Sequence, residues 1–195
     1  LIRRLVDHAI TSRTDRRAPG SDGFELLFPT GPRFFPWERS YCWSRQADGC
    51  YAVESGLLAL EAWAHARIEH NDDPEQVVAD VLGPEGSPAA FLLVAVDILI
   101  SHWPKTTTAA IPFLGAPELL SLDRTRQVHD RMPEVDLSGW GAIGPKEPAG
   151  QIRLADLKKR PSRRHALEAL LVTFALNESV DRNTLQTVLA AASAR

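Results

Sequence analysis

Apolar residues recur along most of this chain at the three- and four-residue spacing of helices. The longest apolar run is 88–103, Pro-Ala-Ala-Phe-Leu-Leu-Val-Ala-Val-Asp-Ile-Leu-Ile-Ser-His-Trp, interrupted by a single charged residue, Asp97. A segment apolar on nearly every side belongs in the middle of a helical layer. Ser87 is placed to cap this helix, Pro88 suits its first position and Pro104 forbids its continuation. The run is too short to span a membrane, which needs about 20 apolar residues.

The same spacing predicts the neighbouring elements. Ile2, Leu5, Val6, Ala9 and Ile10 mark a first helix. Val53, Leu57, Leu60, Ala64 and Ile68, widened by Trp63, mark a strong helix from about Tyr51, whose other face carries Glu54, Glu61, His65 and Glu69. Asn71-Asp72-Asp73-Pro74 ends it and opens a short helix through Val77, Val78, Val81 and Leu82. Beyond Pro104, a short helix is expected from Thr106 to Leu114, interrupted at Pro112. Another follows from Glu118 to about Arg131, with Leu119, Leu122 and Val128 inward. Two helices close the chain: one capped by Ser162 with Leu167, Leu170, Leu171 and Phe174 inward, and one built on Leu185, Val188, Leu189 and Ala192.

Two stretches break this pattern. Residues 14–50 fill with proline and glycine and hold most of a cluster of eight aromatics, Phe24 to Tyr51, out of fourteen in the chain, which predicts a long loop pinned to the core by its rings. Residues 132–161 again read as loop and are the candidate internal boundary or insertion. The expected fold is therefore all-α: an irregular stack of helical hairpins, HEAT-like solenoid or orthogonal bundle, with a long aromatic-rich loop. The helices at 51–70 and 88–103 are expected to pair as an antiparallel hairpin. No fixed repeat period aligns the hairpins.

Composition changes this picture little: 44% hydrophobic and 24% charged residues are ordinary for a globular chain of 195 residues. A stripe already running at Leu1 suggests a single helical domain, 1–195, cut from a larger protein. With neither signal peptide nor membrane run, the cytoplasm is the expected compartment. Cys42 and Cys50 fit no zinc spacing and read as ordinary thiols. The net charge of −3 argues against a dedicated nucleic-acid binder, but the charge is unevenly spread. Residues 51–100 carry nine acids against Arg67 alone, whereas 151–195 carry eight bases against four acids.

Four motifs carry candidate chemistry. Gly139-Trp-Gly141-Ala-Ile-Gly144 has the glycine spacing of nucleotide-binding loops, but Pro145, Lys146 and Glu147 follow where a phosphate loop needs Lys then Ser or Thr. Glu61, His65 and Glu69 share a helix face with metal-ligand spacing, yet one helix cannot complete such a site, and a solvated face is the expected reading. Asp97 is expected at the least buried edge of its helix, paired with a base from another helix. Lys158, Lys159, Arg160, Arg163 and Arg164 form the strongest signal for an external partner, a phosphate-bearing one included. The alternative is that this cluster docks on the acidic face of 51–85. No catalytic residue, cofactor or metal ligand is assigned.

The runs Cys42-Trp43, Val53-Glu54-Ser55-Gly56-Leu57-Leu58-Ala59-Leu60-Glu61-Ala62-Trp63, the Ser87-led helix ending His102-Trp103-Pro104, Pro112-Phe113-Leu114 and Glu118-Leu119-Leu120-Ser121-Leu122-Asp123-Arg124 together resemble the helical region of large bacterial STAND-type NTPases. The resemblance implies a sensor or scaffold arm whose ATP chemistry lies in another module; some members act in phage defence. The chain carries no NTPase motif, so no catalytic residue transfers. The function expected is a non-catalytic helical scaffold or protein-interaction domain of a larger cytoplasmic protein, meeting its partner through Trp37 and Trp43 or the basic cluster. The alternatives are a small helical enzyme or metal protein with its site under the 24–51 loop, and nucleic-acid binding through 158–165.

Overall fold

The computed structural model describes residues 1–14, 22–45, 51–131, 154–176 and 182–193. Among these, the chain forms nine α-helices, two short 3-10 helices and one two-stranded sheet. The helices are α1 (Ile2–Thr14), α2 (Tyr51–Glu69), α3 (Pro74–Leu82), α4 (Ala90–Ser101), α5 (Thr107–Leu114), α6 (Pro117–Arg131), α7 (Leu154–Lys158), α8 (Glu168–Leu176) and α9 (Arg182–Ser193). One hydrophobic cluster runs from Val6 on α1 to Phe174 on α8. The fold is mostly helical, as the periodicity indicates. None of the described helices is long and apolar enough to cross a membrane.

Helix α4 is the centre. Every residue from Ala90 to Ile100 is buried, Asp97 included. Its N-terminus differs from the expected one. The Ser87 hydroxyl donates to the Pro84 carbonyl and accepts from Arg3, and it caps nothing. Instead the Ala90 amide donates to Oγ of Ser40 at 3.1 Å, and the Ala89 amide donates to the Pro36 carbonyl at 2.9 Å. Donors that a helix leaves unpaired in its first turn are thus met by a distant segment of chain.

That segment corrects the all-helical reading. Within the stretch expected to be loop, β1 (Gly23–Phe28) and β2 (Gly31–Pro36) pair antiparallel, with Phe28 opposite Gly31 and Gly23 opposite Pro36. Alternate burial of Phe24 and Leu26 is the strand signature, and Gly31 at φ 124 turns the hairpin. Phe28 places its ring edge-on to Phe113 of α5 at 6.0 Å. A 3-10 helix, Glu38–Ser44, then lies along α4 and buries Ser40, Tyr41 and Ser44.

Helix α2 buries the expected stripe of Val53, Leu57, Leu60, Ala64 and Ile68, while Trp63 stays 41% exposed beneath the Arg67 guanidinium. α3 is capped by Asp73, whose carboxylate accepts from the Glu75 amide. Cross-contacts Glu61–Asp97 (through one arginine) and His65–His102 advance in the same sense along α2 and α4. The two helices are therefore not the expected antiparallel hairpin; α3 is the return segment between them. Two further local expectations change. Val128 is 52% exposed rather than inward, and Ser162 lies in a second 3-10 helix, Pro161–Arg163, instead of capping the next α-helix. Leu167, Leu170 and Phe174 are buried as the pattern requires. Cys50, Gly139–Gly144, Trp140 and most of 132–161 lie outside the described residues.

α1 reaches α2 through a close approach at Gly56, where a Cβ would stand 2.3 Å from Cγ2 of Val6. Gly56→Ala should therefore destabilise the chain by about 1–3 kcal/mol through overpacking, despite a gain in helix propensity of up to about 1 kcal/mol. In a Val6→Ala background the same substitution should cost little or stabilise, which a double-mutant cycle by urea denaturation reads directly.

Candidate functional site: a buried network of charges

The polar face of α2 is not solvated. Glu61 is fully buried and His65 is 1% exposed, so the solvated-face reading is overturned for both, and Glu69 alone of that trio remains at the surface. The physical reason is that each 3-10 helix delivers an arginine between α2 and α4. Arg45, just beyond Glu38–Ser44, donates from one NH2 group to both oxygens of Asp97, at 2.5 and 2.6 Å. Arg163, ending Pro161–Arg163, donates to both oxygens of Glu61 at 2.8 Å and approaches Asp97 at 3.8 Å. Arg45 also lies 3.6 Å from Glu61 and 3.2 Å from Asp130 of α6.

α6 extends the network outward. Asp123 accepts from the Tyr41 hydroxyl at 2.9 Å, from Nε and NH2 of Arg126 at 3.0 and 2.9 Å, and from the Leu167 amide at 2.6 Å. Arg126 pairs with Asp130 at 3.0 Å and donates to the carbonyls of Ser162 and His165. One carboxylate and one guanidinium on a single helix thereby hold the second 3-10 helix and the start of α8. Burial next to Asp123 raises the Tyr41 phenol well above its ordinary range, so the hydroxyl remains a donor.

These side chains are each less than a tenth exposed. Four carboxyls, Glu61, Asp97, Asp123 and Asp130, face three guanidiniums, Arg45, Arg126 and Arg163. Loss of water pushes the carboxyls of Glu61 and Asp97 up, to about 7 in each case, against the pull of Arg45. At the edge, Nδ1 of His65 and Nε2 of His102 are 2.8 Å apart, so one donates while the other accepts. Burial holds both imidazoles down at about 4, with Arg160 and, for His102, His65 adding to the effect.

The basic cluster divides between inside and outside. Arg163 is spent on Glu61, and Arg160 donates to Glu69 at 2.6 Å, so two of its five bases dock on the acidic face of α2. Lys159 pairs with Asp156 at 3.3 Å in full exposure, Lys158 is exposed, and Arg164 is exposed with its carbonyl accepting from Gln127 and Arg131. Trp37 and Trp43 are half-buried and pack against the core. Trp37 sits at φ 57, and its indole Nε1 is buried without a hydrogen-bond partner. Burial lifts the Cys42 thiol to about 11, which keeps it protonated near neutral pH. Among the described residues, no three of His, Cys, Asp or Glu are arranged to hold a metal ion.

Sequence reasoning gives Asp97 an unnamed basic partner and the least buried edge of its helix, whereas Asp97 is fully buried, because guanidiniums rather than water surround it, and the partner that grips it is Arg45 from beyond a 3-10 helix. Arg45 lies in the stretch expected to be loop and carries no motif. Asp123, Arg126 and Asp130 are spaced at i, i+3 and i+7, and this inward polar stripe was the available signal.

Arg45→Ala should cost about 3–5 kcal/mol, because it strands buried carboxylates, whereas Arg160→Ala, at a half-exposed pair, should cost less than about 1 kcal/mol. Denaturant titrations at one pH separate the two. The histidines add a pH dependence of known sign. They are neutral in the fold down to about pH 4 but charge near 6.5 when unfolded, so their contribution is complete above pH 6.5 and is lost as pH falls toward 4. His65→Gln with His102→Gln should remove that acid-side loss in thermal denaturation followed from pH 7 to pH 4. Comparison with family models, with curated proteins and with solved structures finds no match to this chain.

Proposed function

We propose that this chain is a non-catalytic helical scaffold or protein-interaction domain of a larger cytoplasmic protein, with the sensor arm of a STAND-type NTPase as its parent context. The observation that carries this reading is the internal use of the reactive residue types. Glu61, His65, Asp97 and Arg163, which in an open cleft would suggest acid–base or metal chemistry, are turned inward: Arg163 holds Glu61, Arg45 holds Asp97 and His102 meets His65. Such buried pairs fix which segments meet, and this is structural work.

The surface offers matching features. A cleft of about 500 Å³ is lined by Leu1, Ile2, Arg3, Leu60, Trp63 and Asp80. Lys158, Lys159 and Arg164 remain on the outside, and Trp37 and Trp43 present part of their rings. On this reading the helices stack irregularly, in the manner of a HEAT-like arm, to display these features to a protein partner or to other domains of the parent chain.

The rival readings make different predictions. A metal protein would retain a stoichiometric metal after purification, lost in Glu61→Gln and His65→Gln; the scaffold reading expects elemental analysis to find none. A nucleic-acid binder would show affinity for duplex or single-stranded DNA that falls steeply with salt and disappears when Lys158, Lys159 and Arg164 are reversed to Glu. The scaffold reading expects no such salt-dependent binding. It expects instead that cross-linking of the full-length parent places other domains against Trp43, Trp63 or Lys159, and it fails if cross-links from this domain reach none of these surfaces.

A further inference from the structure

The network described above has an odd charge count. Arg126 answers Asp123, Arg45 answers Asp97 and Arg163 answers Glu61, while Asp130 shares Arg45 and Arg126 with carboxylates already paired. With all four carboxyls ionised, the interior would hold one uncompensated negative charge, and such a charge in a dry interior is neutralised by taking up a proton. The neighbouring pair Arg160–Glu69 balances itself at the edge and leaves the count unchanged.

We propose that the interior of this chain binds one exchangeable proton at Glu61, carried to and from solvent by His102 and His65. Geometry supplies the path. His102 is half-exposed, its Nε2 meets Nδ1 of His65 at 2.8 Å, and Nε2 of His65 lies 3.6 Å from Oε1 of Glu61. That same His65 Nε2 is buried and has no hydrogen-bond partner, so it is free to face Glu61 either as donor or as acceptor.

The transfer balances atom by atom. When Glu61 ionises, its proton passes from Oε1 to Nε2 of His65, His65 gives its Nδ1 proton to Nε2 of His102, and His102 releases a proton from Nδ1 to water. Uptake runs the steps in reverse, and each imidazole returns to neutrality in the other tautomer. The groups facing this path are Glu69 from α2, Asp97 and His102 at α4, and Lys105 beyond it. Arg45 faces it from the first 3-10 segment, Asp130 and Arg126 from α6, and Arg160 and Arg163 from the second.

Because Glu61 receives Arg163, the proton lies at the joint between the α2–α4 pair and the segment leading into α8. A carboxyl whose pKa is raised in the docked state binds its proton more tightly there, so docking strengthens as pH falls from 8 toward 6.5. Below that the histidines act in the opposite direction.

The test is carboxyl ¹³C NMR of the whole chain labelled in Asp and Glu, titrated from pH 4 to pH 9. The expected result is one proton's worth of carboxyl titration centred at about 7, at Glu61. It should be absent in Glu61→Gln, which leaves three carboxyls against three guanidiniums. In His65→Phe the titration should persist, with slowed proton exchange that broadens the carboxyl signals. If every carboxyl of the wild-type chain titrates below pH 5, the proton site is overturned without recourse to any variant. If His65→Phe leaves the exchange rate unchanged, the relay is overturned.

Discussion

Asp97 sets the terms for the rest of the molecule. It stands in a helix whose other ten residues from Ala90 to Ile100 are apolar and buried, so no side of that helix offers it water. A carboxylate there is tolerable only if cations are brought to it. Arg45 and Arg163 are brought from segments 52 and 66 residues away in sequence, by short 3-10 helices that pack on either flank. Once those arginines are in place, Glu61, Asp130 and Arg126 become affordable as well, and the polar interior grows outward from one residue. Hydrophobic burial gives the fold its strength, while the network decides which segments are allowed to meet.

The same division explains how much was legible in the sequence. The helices at 51–69, 74–82 and 90–101 follow apolar periodicity because that periodicity is the core face itself. Val53, Leu57, Leu60, Ala64 and Ile68 are buried where the spacing puts them. The β-hairpin was hidden because Pro29, Gly31, Pro32 and Pro36 look like loop punctuation, although the alternation at Phe24, Leu26 and Phe28 was present. Glu61 and His65 escape the pattern for a deeper reason. Periodicity sorts residues into apolar and polar faces, but it cannot tell a polar face wetted by solvent from one wetted by arginines located 16 and 102 residues away. The basic cluster showed the same ambiguity, and the resolution lay in pairing that only the folded chain displays.

The N-terminal capping of α4 repeats the theme on a smaller scale. A helix that opens with Ala89 and Ala90 has no capping side chain of its own, and Ser40 supplies one from the far side of the hairpin. Two arginines do likewise for the end of α3: Arg3 donates to the Leu82 carbonyl, and Arg33 donates to those of Leu82, Gly83 and Pro84. Gly83, at φ 67, leaves room for the Arg3 guanidinium where any Cβ would collide. These two helix ends are completed by tertiary contacts, whereas the start of α3 is capped locally by Asp73.

The long reach of the Glu61–Arg163 pair also has a consequence in time. The two residues are 102 positions apart, so on a ribosome adding about 5–20 residues per second, Glu61 is synthesised roughly 5–20 s before its bidentate partner exists. During that interval Glu61 has Arg45, made 16 residues earlier, but lacks the guanidinium that grips both of its oxygens. The emerging chain therefore waits, incompletely closed, for a short stretch of its C-terminal third.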